Sequence, residues 1–145
     1  MRLVVVFDTN ILISALISTG SKPDLCINLA RNGEIESVTC AEILSEFQQK
    51  LIQKFHYPVS DAQDVIDEIL SFSRIVVIPN TLRVVEADPK DDMIVECGVV
   101  GKASHIVTGD KRHLLPMKRY QNVDIVTATD FLTIFSVNPI IANNL

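Results

Sequence analysis

Five short β-rich runs alternate along the chain with longer segments in which apolar residues recur at helical spacing. The runs are Leu3–Phe7, Ile35–Thr39, Arg74–Ile78, His105–Thr108 and Val123–Thr127. The first and third are nearly continuous in Val and Ile, as strands buried on both faces are. Between them, Asn10–Ile17 is apolar almost all round and predicts a buried helix. Pro23 opens a second helix in its first turn and Gly33 ends it. Thr39 with Glu42 has the spacing of a capping box, and the helix it predicts carries Ile43, Phe47, Leu51 and Phe55 on one face. Ser60 with Gln63 repeats the spacing ahead of Val65, Ile66, Ile69 and Leu70. Asp91 to about Val100 and Thr129–Phe135 complete the helical segments. The longest stretch without a pattern, Pro79 to Lys90, reads as a loop.

Strands alternating with helices predict a parallel sheet with helices on both faces, a three-layer α/β/α fold. The chain has 145 residues, 48% of them apolar, which fits one domain with a full core. The expected domain spans residues 1–137, followed by a loosely ordered tail, residues 138–145. No apolar run reaches the roughly 18 residues of a membrane span. The start runs straight into a strand-like segment without signal-peptide order, so the expected location is cytoplasmic. Cys26, Cys40 and Cys97 are odd in number, form no CxxC pair and sit in apolar contexts, which reads as reduced core cysteines.

Two of the strands end on a carboxylate. Asp8 follows the first, in "VVVFDTN", and Asp110 follows the fourth, in "IVTGD". In open α/β sheets, chemistry sits outside the carboxyl ends of strands. Glu46 lies on the polar flank of the helix after strand 2, and Asp92 in the first turn of the helix before strand 4. If strands 1 and 4 are neighbours, four acids converge. Convergent carboxylates repel one another unless a cation sits among them. An oxygen-rich set suits Mg²⁺ or Mn²⁺, and the chain has no His/Cys spacing suited to zinc. Such a cation activates water and stabilises charge on phosphoryl oxygens, so phosphodiester hydrolysis is the natural reaction. Each acid also has a plainer reading. Asp8 and Asp110 could cap helices, Glu46 could pair with Lys50 at i,i+4, and Asp92 could complement a helix dipole.

The segments "VVVFDTNILISAL", "SEFQQKL", "DPKDDMIVECG" and "HIVTGDKRHLL" arrive in an order and approximate spacing that resemble the PIN-domain nucleases, and "VDIVTATDFL" resembles that family's closing strand and helix. The likeness covers nearly the whole chain and is greatest to the toxin branch related to VapC. It implies a five-stranded parallel sheet of order 3-2-1-4-5, which places strands 1 and 4 side by side. It further implies metal-dependent RNA cleavage, a cognate antitoxin and a homodimer. By resemblance, Asp8, Glu46, Asp92 and Asp110 are the metal-binding acids, and Thr9, Asn10 and Thr108 are small polar residues supporting them. Asp88 and Asp91 lie close to Asp92. Glu96, one turn after Asp92, either extends the acidic pocket or faces solvent.

Net charge is −5, which speaks against a dedicated nucleic-acid coat protein. Yet Lys102 to Arg119 contains five Lys and Arg residues against the single acid Asp110. Lys111 and Arg112 follow Asp110 directly, while Lys50 and Lys54 lie one and two turns beyond Glu46. These four are the expected RNA-backbone contacts. A haloacid-dehalogenase phosphatase would need an acid where Asn10 stands, and a receiver domain would need paired acids where only Asp8 is found. A catalytically silent PIN-like binding module and an RNA-processing nuclease without a toxin role are the alternatives.

Overall fold

The computed structural model describes residues 2–143, with side-chain surroundings for residues 2–137. Its parallel strands are β1 (Val4–Phe7), β2 (Glu36–Thr39), β3 (Ser73–Ile75), β4 (His105–Val107) and β6 (Val123–Val126), joined at one edge by a two-residue antiparallel strand β5 (Arg119–Tyr120). The order is β3-β2-β1-β4-β6-β5. The expected order 3-2-1-4-5 is therefore present, with one strand added. β5 is too short for any periodicity to register, and it pairs back on β6 through Arg119–Asp124 and Tyr120–Val123.

The helices are α1 (Thr9–Ile17), α2 (Lys22–Arg31), α3 (Ala41–Gln53), α4 (Val59–Ser71), α5 (Pro89–Val100) and α6 (Ala128–Asn143). Right-handed crossovers running outward from β1 to β3 place α1 to α4 on one face. The return crossover to β4 places α5 on the other, where it packs on β1, β2 and β4. Gly98 lets α5 lie close to the sheet: a β-carbon there would stand 3.1 Å from Ile106 Cδ1. The core is apolar from edge to edge, with Val5, Val6, Val38, Phe47, Ile106 and Phe131 fully enclosed. The three cysteines are free and buried, as expected.

Several local details differ from the sequence pattern. Neither capping box forms. Cys40 occupies the N-cap of α3 without a side-chain bond, and the Thr39 hydroxyl, still within β2, has no partner among the described residues. α4 starts two residues early, with Pro58 and not Ser60 at its N-cap, and Gln63 bonds Asp67 instead. The third strand is shorter than its apolar run. The Val76 N–H makes a last bond to the Thr39 carbonyl at 2.9 Å, after which Ile78 turns into the core. This leaves Ile75 and Val77 at a free sheet edge, 51% and 88% exposed. The last helix runs past Phe135 to Asn143, so the expected tail falls on residues that are helical to 143 and lie outside the described residues beyond it. Among the described residues no helix is long and apolar enough to cross a membrane.

Candidate active site

β1 and β4 end side by side, because Phe7 pairs with Val107 and the Asp8 N–H donates to the Val107 carbonyl at 3.0 Å. This register delivers Asp8 and Thr108 to the same point. Asp8 stands at the N-cap of α1, yet its carboxylate makes no capping bond. Instead its Oδ2 accepts from the buried Thr108 hydroxyl at 2.7 Å. Thr108 Oγ1 in turn accepts from the Asp110 N–H at 3.0 Å, so one hydroxyl ties the two strand-end acids together. Asp110 serves in two ways. Its Oδ1 caps the following turn, accepting from the N–H groups of Arg112 (3.0 Å) and His113 (3.2 Å), while its Oδ2 lies 3.7 Å from His113 Nδ1.

Glu46 reaches the same place from α3. Its helix buries Ile43, Leu44, Phe47 and Leu51, which leaves Glu46 on the flank turned to the ends of β1 and β4. The Thr9 hydroxyl donates to its Oε2 at 3.3 Å, and Lys50 Nζ lies 3.2 Å from its Oε1 and donates to Asn10 Oδ1 at 3.3 Å. The i,i+4 ion pair thus exists, but inside the cavity wall. The resulting cleft of about 260 Å³ is lined by Asp8, Asn10, Glu46, Lys50, Asp88, Lys90, Asp91, Asp110 and His113.

The third acid in this cleft is Asp91, and the expected Asp92 is elsewhere. Successive helical residues point about 100° apart. Asp92 is buried on the loop side of α5, where its Oδ1 accepts from the N–H groups of Val84 and Val85, each at 2.8 Å. Glu96, one turn on, does the same: its Oε2 accepts from the N–H groups of Thr81 (3.2 Å) and Leu82 (3.3 Å). It neither extends the pocket nor faces solvent. Together the two carboxylates hold the patternless stretch 79–88 against α5. That stretch ends in Asp88, which caps α5 by accepting from the Lys90 N–H at 3.1 Å and presents its carboxylate to the cleft.

The electrostatics of the cleft are those of crowded acids. Burial, then the neighbouring Asp110 carboxyl and the charges of Asp88, Asp110 and Asp8, push Asp91 up to about 8. Burial raises Asp8 as well, against the pull of the Thr108 hydroxyl. Asp110 is also opposed by burial, but the backbone N–H groups of Arg112 and His113 prevail and hold it below the ordinary carboxylate range. Asp91 Oδ2 is buried and has no hydrogen-bond partner among the described residues; His113 Nδ1 lies 3.4 Å away without the geometry of a hydrogen bond. A buried carboxylate oxygen without a donor, among other carboxylates, is the donor set a hard divalent cation completes.

Of the basic residues expected on the RNA path, Lys111 and Arg112 are exposed on the turn directly after Asp110, and Lys50 lines the cleft. Lys54 is outside it, with Nζ 5.8 Å from the Phe55 ring. Asp88, noted in the sequence only for its nearness to Asp92, lies in the cleft, as do His113 and Lys90, which sequence spacing did not single out. The signal for His113 was its place three residues after Asp110, within reach of whatever Asp110 faces.

A chain whose parallel sheet converges acids from β1, α3, α5 and β4 defines a class by fold and site together. Residues 4–112 match the PIN domain family, and the chain belongs to that family. It is 32% identical over 114 residues to an uncharacterized protein of Methanocaldococcus jannaschii, covering 77% of this chain and 73% of the relative. Its fold is like that of a chain in the crystal structure of VapBC2 from Rickettsia felis bound to a DNA fragment from their promoter, with a TM-score of 0.59, 18% identity, and coverage of 85% of this chain and 97% of the other. At that identity the likeness is one of fold.

Proposed function

We propose that the protein is a metal-dependent endoribonuclease acting as the toxin of a toxin–antitoxin pair. The observation that carries this reading is the cleft in which Asp8, Glu46, Asp91 and Asp110 meet, with an oxygen of Asp91 buried and without a partner among the described residues. These four residues would hold Mg²⁺ or Mn²⁺. The bound cation supplies water activation and charge stabilisation at a phosphoryl oxygen. The chain's own groups do the rest. Thr108 orients Asp8, Thr9 and Lys50 orient Glu46, and the turn after Asp110 offers Lys111 and Arg112 to the phosphates on either side of the scissile bond. No pair of histidines is arranged to activate a ribose 2′-hydroxyl: His105 is buried against Phe131, and His56 is exposed at the end of α3. Water is therefore the nucleophile, and the products carry 5′-phosphate and 3′-hydroxyl ends.

The test is cleavage of single-stranded RNA by the purified protein. Activity with Mg²⁺ or Mn²⁺, its loss in EDTA and in Asp8→Asn, and 5′-phosphate products are expected. A 2′,3′-cyclic phosphate would overturn water as nucleophile. Folded protein that binds RNA without cleaving it would make the chain a silent binding module. For the biological role, expression should arrest growth, and a small DNA-binding protein encoded beside it should relieve the arrest. No arrest would favour an RNA-processing role. A cytoplasmic location and a homodimer belong to the same reading; the uncovered edge of β3, with exposed Ile75 at its end and exposed Val77 just beyond it, gives a second copy a strand edge to pair with.

A further inference from the structure

The oxygen-only ligand set leaves the imidazole in the cleft without a task. His113 projects from the turn after Asp110, its backbone N–H fixed on Asp110 Oδ1 at 3.2 Å. Its Nδ1 stands 3.4 Å from Asp91 Oδ2, the buried oxygen with no hydrogen-bond partner among the described residues, and 3.7 Å from Asp110 Oδ2. One donor atom from each of Asp88, Asp91 and His113 lies within 4.8 Å of the other two. Ligands at about 2.0–2.3 Å from a common ion are separated by roughly 3 to 4.6 Å, so this triad fits one cation with small side-chain adjustments. With its proton on Nε2, the imidazole turns an Nδ1 lone pair toward Asp91.

We infer that His113 is a nitrogen ligand of the bound cation, completing the Asp91 side of the site, and that it biases the site toward a first-row transition-metal ion over Mg²⁺. This rests on the metal-dependent reading above and goes beyond it in ligand and metal choice. Mg²⁺ holds to oxygen donors and keeps its waters, whereas ions of the Mn²⁺-to-Zn²⁺ series accept imidazole. An all-carboxylate site has no such preference built in; one imidazole added to it does. The other two histidines do not compete for the role, since His105 is enclosed beside Phe131 and His56 lies outside the cleft.

The test uses Mn²⁺ and Mg²⁺ themselves as probes, on the full chain. Electron spin-echo modulation of Mn²⁺ bound to the parent should show a directly ligated ¹⁴N. His113→Gln should lose that signal. It should also weaken Mn²⁺ binding in calorimetry by at least the about tenfold that losing even a ligand's supporting contact costs. Mg²⁺ affinity should stay within about twofold, because its shell is all oxygen. His113→Ala, at a partly exposed position that leaves the core intact, should behave alike. Bound Mn²⁺ without a nitrogen signal in the parent overturns the inference and leaves the carboxylate site standing. So does a nitrogen signal that survives in His113→Gln, or an equal loss of Mn²⁺ and Mg²⁺ affinity. Absence of any Mn²⁺ binding to the parent overturns the metal-dependent reading itself.

Discussion

The Thr108 hydroxyl donates to Asp8 Oδ2 at 2.7 Å, joining residues 100 positions apart in sequence at the ends of adjacent strands. Because the same oxygen accepts the Asp110 N–H, it fixes where two acids stand relative to each other. Thr108→Val keeps the shape but removes both bonds. Unfolding in urea should show a loss of roughly 1.5–3 kcal/mol, the range for a hydrogen bond to a charged group. Mn²⁺ affinity should fall with it. Thr108→Ser should keep most of both.

Asp91 and Asp92 should answer oppositely to removal of charge. Asp91→Asn relieves crowding in the cation-free cleft, so its melting temperature in EDTA should rise while stabilisation by Mn²⁺ is lost. Asp92→Ala strands the buried N–H groups of Val84 and Val85 and should cost roughly 2–4 kcal/mol in EDTA, by the penalty for unpaired buried donors. Thermal melts of both variants with EDTA and with Mn²⁺ check this. A stabilising effect of Asp92→Ala would mean that the loop is not held as described.

The raised Asp91 carboxyl has a signed consequence for pH. Its affinity for a proton is higher in the fold than in the unfolded chain, so stability is greatest below the ordinary carboxylate value and is lost as pH rises toward about 8. Asp8 is shifted in the same direction. Asp110 is shifted the other way, and its effect falls only below the ordinary carboxylate range. The melting temperature in EDTA should therefore decline between about pH 4 and pH 8 from this cluster, and Asp91→Asn should flatten the decline. Saturating Mn²⁺, which holds the acids ionised, should remove most of it. Melts across that range, with and without Mn²⁺, decide.

Among the described residues Lys111 and Arg112 make no ion pair such as the one that engages Lys50, so they should carry the salt dependence of RNA binding. Replacing both with Ala should reduce the slope of log affinity against log salt by about 1.4, at about 0.7 per phosphate contact on a single strand. Lys54→Ala should leave the slope unchanged. Fluorescence anisotropy with catalytically inactive Asp8→Asn, between low and physiological salt, measures both.

The strands and the acids that end them were legible because both mark the local sequence, as continuous Val and Ile runs and as carboxylates where those runs stop, whereas the strand order followed only from the resemblance to the PIN-domain nucleases. Phase within one helix turn was harder to read. "DPKDDMIVEC" offers Asp88, Asp91, Asp92 and Glu96, and only the packing of α5 on the sheet decides which face turns to the cleft. That packing depends on Gly98 meeting Ile106, a contact no local pattern encodes. The capping boxes failed for a similar reason. Thr39 is claimed by β2, whose ladder continues through it to Ile75, so its hydroxyl is not free to start α3. β5 consists of two residues defined by a partner strand, and neither residue carries a strand signal alone.

The pinned loop bears on transplanting this chemistry into another scaffold. A graft that copied Asp8, Glu46, Asp91 and Asp110 would carry the ligands without their foundation, because Asp91 is aimed by a helix whose adjoining face is occupied by Asp92 and Glu96 gripping residues 81–85. The same loop ends in the cap that starts α5. The portable unit is therefore a loop and helix together, residues 79–100, in which two carboxylates that never see the solvent of the cleft set the aim of one that does.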